Sequence, residues 1–267
     1  MVPRPPLVLV HGMWGQFALW GETASLLEDL GWPILPYELP EHGGRRRSDA
    51  VLARLGLEDY LDDLVAFLGS APSSPILVGH SMGGLLVLLA AQRLSARGRS
   101  VRGIVLIAPA GIRGSFLASR SNLLLFLRPL LSQWRGPRVH RPTRRAAAFA
   151  LFSRVPPDRR AGLFSLMGPE SIRPLLQTAF WPFDPSRITR LVAGAIVCPS
   201  FLYLGGRDRV IPRYSVGPLR RILPHIEITI EPEAGHLVFH ESGRQAFFSW
   251  LASRLNQILS DREAKLA

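Results

Sequence analysis

The chain has 267 residues, 47% of them hydrophobic and 19% charged, with a mean hydropathy of +0.16. That excludes a disordered composition and allows either one large α/β domain or a domain carrying an insertion. A single cysteine, Cys198, excludes an intramolecular disulfide and any cysteine-based metal motif, and no metal or cofactor is expected. The net charge is +12 and Lys265 is the only lysine, a bias toward arginine that reads first as genomic base composition.

Residues 7–10 form an apolar run too short for a secretory leader, and no stretch approaches the roughly 20 apolar residues that cross a bilayer. A cytoplasmic protein is the expectation. Residues 7–10 read instead as a strand, followed by a helix over 17–30 and a second strand over 33–39 that ends in Pro40-Glu41-His42-Gly43-Gly44. Helical spacing covers 57–68, a short buried strand covers 76–78, and 85–94 is apolar enough to lie against a sheet. Strands follow at 101–108, 200–204 and 227–230, and an amphipathic helix over 245–259 closes the chain. Such alternation predicts an α/β fold with a mostly parallel sheet flanked by helices.

The rhythm fails between 112 and 190, where helical pieces and prolines occur without a convincing strand. Here 14 arginines face three acids, Asp158, Glu170 and Asp184, so this segment carries +11 of the net charge. Its most apolar window, 123–131, is broken by Arg128 and Pro129. The division expected is a core domain of 1–111 and 191–267, with 112–190 as a mainly helical, arginine-rich cap.

Gly79-His80-Ser81-Met82-Gly83 matches G-x-S-x-G between a buried strand and a helix, the setting in which a serine occupies a strained turn. A serine hydroxyl needs a base to take its proton and an acid to orient that base. His236, in Glu233-Ala234-Gly235-His236 after the last strand, is preferred as the base over His240. Among the other histidines, His11 and His80 belong to glycine motifs, His42 lies in a loop, His140 in the basic segment, and His225 precedes a strand. Asp208, in Gly205-Gly206-Arg207-Asp208 after the strand at 200–204, is the acid, with Asp184 in reserve. Two backbone N–H groups should meet the developing oxyanion: that of Met82, and one from His11-Gly12-Met13-Trp14-Gly15, where Met13 is preferred to Trp14. Trp14 and Trp181 are the aromatic residues chosen as substrate-binding walls.

In that order, His11-Gly12, Gly79 to Gly83, Gly205 to Asp208 and Gly235-His236 resemble the α/β-hydrolase superfamily, and Pro40-Glu41-His42-Gly43 resembles the loop after its second strand. The resemblance covers 7–111 and 195–260. It implies a compact form without the usual N-terminal hairpin, similar to the plant esterase and hydroxynitrile lyase branch. The elbow departs from the lyases at His80 and Met82, and no lysine is at hand for their chemistry. A serine at 81 argues against dehalogenase and epoxide hydrolase chemistry, which use a carboxylate nucleophile. The activity implied is hydrolysis of a small-molecule carboxylic ester. Thioester, lactone and acyl-transfer chemistry are alternatives on the same residues, and a catalytically silent binding protein is the reading from another class. The basic segment reads as a solvated surface, with contact to anionic lipid or a phosphate-bearing acyl carrier as the alternative. No nucleic-acid module accompanies the charge, so no nucleic acid is expected, and the sequence is silent on oligomeric state.

Overall fold

A computed structural model describes residues 4–116, 119, 121–123, 125 and 138–266. Its main sheet contains β1 (Leu7–Val10), β2 (Ile34–Pro36), β3 (Ile76–His80), β4 (Gly103–Ile107), β7 (Ser200–Gly205) and β8 (Glu227–Glu231). Every pairing in it is parallel, in the order β2-β1-β3-β4-β7-β8. β5 (Val139–His140) and β6 (Glu170–Ser171) form a separate antiparallel pair.

Central strands β1, β3 and β4 are buried at every residue, which is why they read as unbroken apolar runs rather than alternations. Edge strand β8, Glu-Ile-Thr-Ile-Glu, is buried at none of its residues. Helices α1 (Gly21–Asp29), α2 (Asp49–Leu52), α3 (Leu57–Gly69) and α4 (Met82–Ser95) connect the first four strands. α3 buries Leu57, Tyr60, Leu61, Leu64, Val65 and Leu68, one face at helical spacing. α4 is buried continuously from Met82 to Ala91, as expected of a helix held between the sheet and α3. The chain closes with the helix Arg244–Leu266.

β1 pairs with β2 on one side and with β3 on the other. Successive crossovers therefore leave β1 in opposite directions, and a crevice forms at the strands' carboxyl ends there. Gly12 and Ser81 follow those two ends, so the topology brings the two glycine motifs together.

Several expectations change in detail. The helix expected over 17–30 is a 3₁₀ turn, Phe17–Trp20, followed by α1. The second strand keeps only three of its seven residues, and just beyond it the Glu38 carboxylate accepts the Phe17 N–H. α4 begins three residues before its apolar pattern, since Gly83 and Gly84 contribute no hydrophobic signal. Segment 112–190 does contain strand, β5 and β6, but two residues each are too few to leave a period-2 signature. It also has the helices Arg144–Ala150, Pro157–Ser165 and Ile172–Ala179. Most of the apolar window 123–131 lies outside the described residues. Among the described residues, no helix is long and apolar enough to cross a membrane.

Candidate active site

Ser81 stands between β3 and α4 with φ 54° and ψ −121°, a conformation that costs a non-glycine residue free energy and is held by its surroundings. Its N–H donates to Ile107 O at 3.0 Å, and its carbonyl accepts from Gly84 at 2.9 Å and Ala110 at 2.8 Å. Glycine is required beside it: a Cβ on Gly79 would lie 2.5 Å from Gly83 O, and one on Gly83 would strike the carbonyl oxygens of Val10 and His11. Here α4 meets the end of β1 too closely for any side chain.

Asp208 and His236 leave the ends of β7 and β8 and meet, Nδ1 of His236 lying 2.8 Å from Oδ2 of Asp208. Both side chains are withdrawn from solvent, at 2% and 0% exposure. The other carboxylate oxygen accepts the N–H groups of Val210 at 2.7 Å and Ile211 at 2.9 Å. That arrangement suits an ionised Asp208 and an Nδ1–H imidazole, leaving Nε2 as the proton acceptor. Neighbouring arginines do not compete for Asp208: Arg207 pairs with Glu233, and Arg209 lies over the Phe149 ring. Asp184, the reserve acid, accepts from Ser186 Oγ and Ile188 N in its own turn.

Ser81 and His236 line one cavity of about 600 Å³, together with Met13, Trp14 and Met82. The rest of its wall is mostly apolar, including Leu19, Phe152, Met167, Leu175, Ile211 and Leu237, and no arginine, aspartate or glutamate lines it among the described residues. The segment between β4 and β7 supplies much of this wall, from Phe116 to Phe180. Among the hydrogen bonds of the described residues, the N–H groups of Met13 and Met82 have no acceptor. The turn carrying Met13 is closed by Gly15 N–H donating to Gly12 O at 3.0 Å. Trp14, at φ 61°, is a wall residue whose Nε1–H donates to His140 O at 3.0 Å. Trp181 lies outside the lining; its Nε1–H donates to Ser115 O, and its ring meets Phe116, which does line the cavity, at 5.7 Å.

Other histidines have structural partners. Nε2–H of His80 donates to His236 O at 3.0 Å, and burial, reinforced by neighbouring His236, holds its pKa well below the usual range. Nε2–H of His240 donates to Leu19 O, and burial lowers it to about 4. Nε2 of His11 lies 2.7 Å from Glu38. His42, a loop residue in the sequence, pairs at 3.1 Å with Glu170, which also accepts from Tyr60 and from its neighbour Ser171 N–H. Sequence reasoning missed this cluster; its one signal was that Glu170 is among only three acids in an arginine-rich segment.

A protein of Xanthomonas axonopodis pv. citri, named as a pimeloyl-[acyl-carrier protein] methyl ester esterase, is 28% identical, the match covering 88% of this chain and 89% of that protein. A Mycoplasma genitalium protein named for esterase/lipase activity is 25% identical over 44% of this chain, which spans only 42% of that relative's length. The solved methylesterase of Arabidopsis superposes with a TM-score of 0.69 over 94% of this chain and 99% of its own, at 16% identity, a likeness of fold. The model of the alpha/beta hydrolase family matches residues 7–250, from β1 into the last helix, and therefore takes in the elbow, the Asp208 and His236 loops and the segment between β4 and β7. With sheet order, elbow geometry and family model in agreement, this chain belongs to the alpha/beta hydrolase family.

Proposed function

We propose that this chain is a carboxylic ester hydrolase that works through an acyl-enzyme on Ser81. The observation that carries the reading is the 2.8 Å His236–Asp208 contact, out of solvent, at the wall of the apolar cavity that Ser81 also lines. Its relatives named as esterases support the same reaction class.

As Ser81 Oγ bonds to the ester carbonyl carbon, His236 Nε2 takes the hydroxyl proton and the C=O electron pair moves onto oxygen. Met13 and Met82 N–H groups meet that oxyanion, and one such donor contributes roughly 10²–10³ in rate. Collapse of the intermediate breaks the bond to the alcohol oxygen, and His236 returns the proton to the departing alkoxide. Water, activated by the same imidazole, then releases the acid. Asp208 holds the imidazole tautomer and stabilises the imidazolium through its ionised carboxylate.

Cavity chemistry favours an uncharged acyl group, since a carboxylate or ammonium in an apolar wall without a partner is costly. Trp14 is then a direct wall of the acyl site, and Trp181 acts through Phe116. Segment 112–190 serves as the cap on a core of 1–111 and 191–267.

Hydrolysis of p-nitrophenyl esters from acetate to palmitate, beside a thioester and a lactone, tests the reading, with Ser81→Ala as control. Ester turnover that vanishes in Ser81→Ala is expected. Turnover unchanged in that variant, or none on any ester, overturns it.

A further inference from the structure

A second acid stands behind His236. Glu241, five residues on, is 3% exposed, and its Oε2 accepts the Gly235 N–H at 2.7 Å. Oε1 lies so close to that peptide that a Cβ on Gly235 would be 2.7 Å from it, and it has no hydrogen-bond partner among the described residues.

The loop is tied at three successive residues. Ala234 O accepts from Arg207 N–H at 2.8 Å, Gly235 N–H donates to Glu241, and His236 O accepts from His80 at 3.0 Å. Two of these acceptors belong to the loop's own backbone. The middle tie alone relies on a carboxyl group, and it holds the peptide directly before the imidazole. Glu241 also borders a separate cavity of about 470 Å³ that Ser81 does not line, shared with Ser153, Arg154, Tyr203 and Glu233.

We propose that Glu241 is a positioning residue for His236: by accepting the Gly235 N–H it fixes the peptide that carries the imidazole, so that Nδ1 meets Asp208. The inference rests on His236 being the base in the reading above. Asp208 and His236 act on the carboxyl across the loop, Arg154 from the cap, and Tyr203 from β7. Burial, aided by the Asp208 charge, raises the Glu241 pKa against the pull of the Gly235 N–H, His236 and Arg154. A carboxyl kept in so costly a place is consistent with a task that a hydrocarbon side chain does not perform.

Two substitutions separate the acceptor from mere bulk. Glu241→Gln keeps an oxygen for the Gly235 N–H, whereas Glu241→Met has similar length and no comparable acceptor. Misplacing a reacting group by about 1 Å can cost on the order of 10² in rate. With a p-nitrophenyl ester, we expect Glu241→Met to lose at least about tenfold in kcat with KM within about twofold, and Glu241→Gln to stay within about threefold of wild type. If Glu241→Met fails to fold, Glu241→Asp, whose carboxylate is withdrawn by one methylene, takes its place with the same expected loss. A kcat close to wild type in Glu241→Met or its Asp substitute, a loss confined to KM, or a Gln variant as impaired as Met overturns the proposal. Ser81→Ala assayed alongside keeps the two claims apart. An active Ser81→Ala sinks the site reading itself, whereas an inactive one beside unimpaired Glu241 variants sinks only this inference.

Discussion

At the residue scale, the chemistry depends on side chains whose environments differ although they sit within a few ångströms of one another. Asp208 receives two backbone N–H groups on one oxygen and the imidazole on the other. Neighbouring His80 is buried against His236 and kept neutral, which in the proposed mechanism avoids a second positive charge beside the His236 imidazolium. On the proposed mechanism Asp208→Asn should keep the fold and lower kcat by about 10⁴, as loss of the correct tautomer does in such triads; a fall under tenfold would count against that role. Gly83→Ala should fail to give soluble folded protein, measured by circular dichroism and yield, because its Cβ has no room beside Val10 O and His11 O. The strand-end positions of Ser81, Asp208 and His236 were legible in the sequence because each follows a strand inside a glycine motif. Glu241 and Glu170 were not, because the Gly235 and His42 groups that give them meaning are fixed by tertiary contact and obey no spacing rule.

At the element scale, the strands most legible in the sequence are those buried on both faces, where apolar runs leave no ambiguity. β2, β5 and β6 are two or three residues long, and their pairing is set by what surrounds them. β6 is anchored by Glu170, which reaches His42 in the loop after β2 and Tyr60 on α3. Both members of the ion pair are 1% exposed. Burial, the largest single influence, would lower the His42 pKa, but the charge and hydrogen bond of Glu170, with the Pro40 carbonyl and the Glu38 charge, together raise it; burial would raise Glu170, and His42, Tyr60 and the Ser171 N–H together turn that into a lowering. His42 thus adds stability fully below its ordinary value of 6.5, lost as pH rises through its raised folded value. Glu170 adds stability fully above 4.5, lost as pH falls through its lowered folded value. Removing one partner of such a pair costs about 3–5 kcal/mol. Glu170→Ala should accordingly lower Tm by several degrees near pH 5.5, between the two ordinary values, and by clearly less near pH 9. Equal losses at both pH values would show that the pair carries no net charge interaction.

At the scale of the whole molecule, the +11 of segment 112–190 dominates the electrostatics, yet no arginine among the described residues lines the cavity that Ser81 borders. Several hold the segment to the core instead: Arg159 pairs with Glu22 at 2.6 Å, Arg154 with Glu233 at 3.0 Å, and Arg173 donates to Arg54 O. A solvated, anchoring role predicts that kcat/KM for a neutral and an anionic ester respond alike as salt rises from about 20 to about 300 mM. A steep fall for the anionic ester alone would mean that the charge guides substrate. The central claim, that Ser81 is an activated nucleophile, is tested most directly by labelling with a fluorophosphonate and locating the adduct by mass spectrometry. One adduct on Ser81, formed far more slowly in His236→Ala and absent in Ser81→Ala, is the predicted result. No adduct on the folded wild-type protein, or an adduct on another residue that persists in Ser81→Ala, would contradict it.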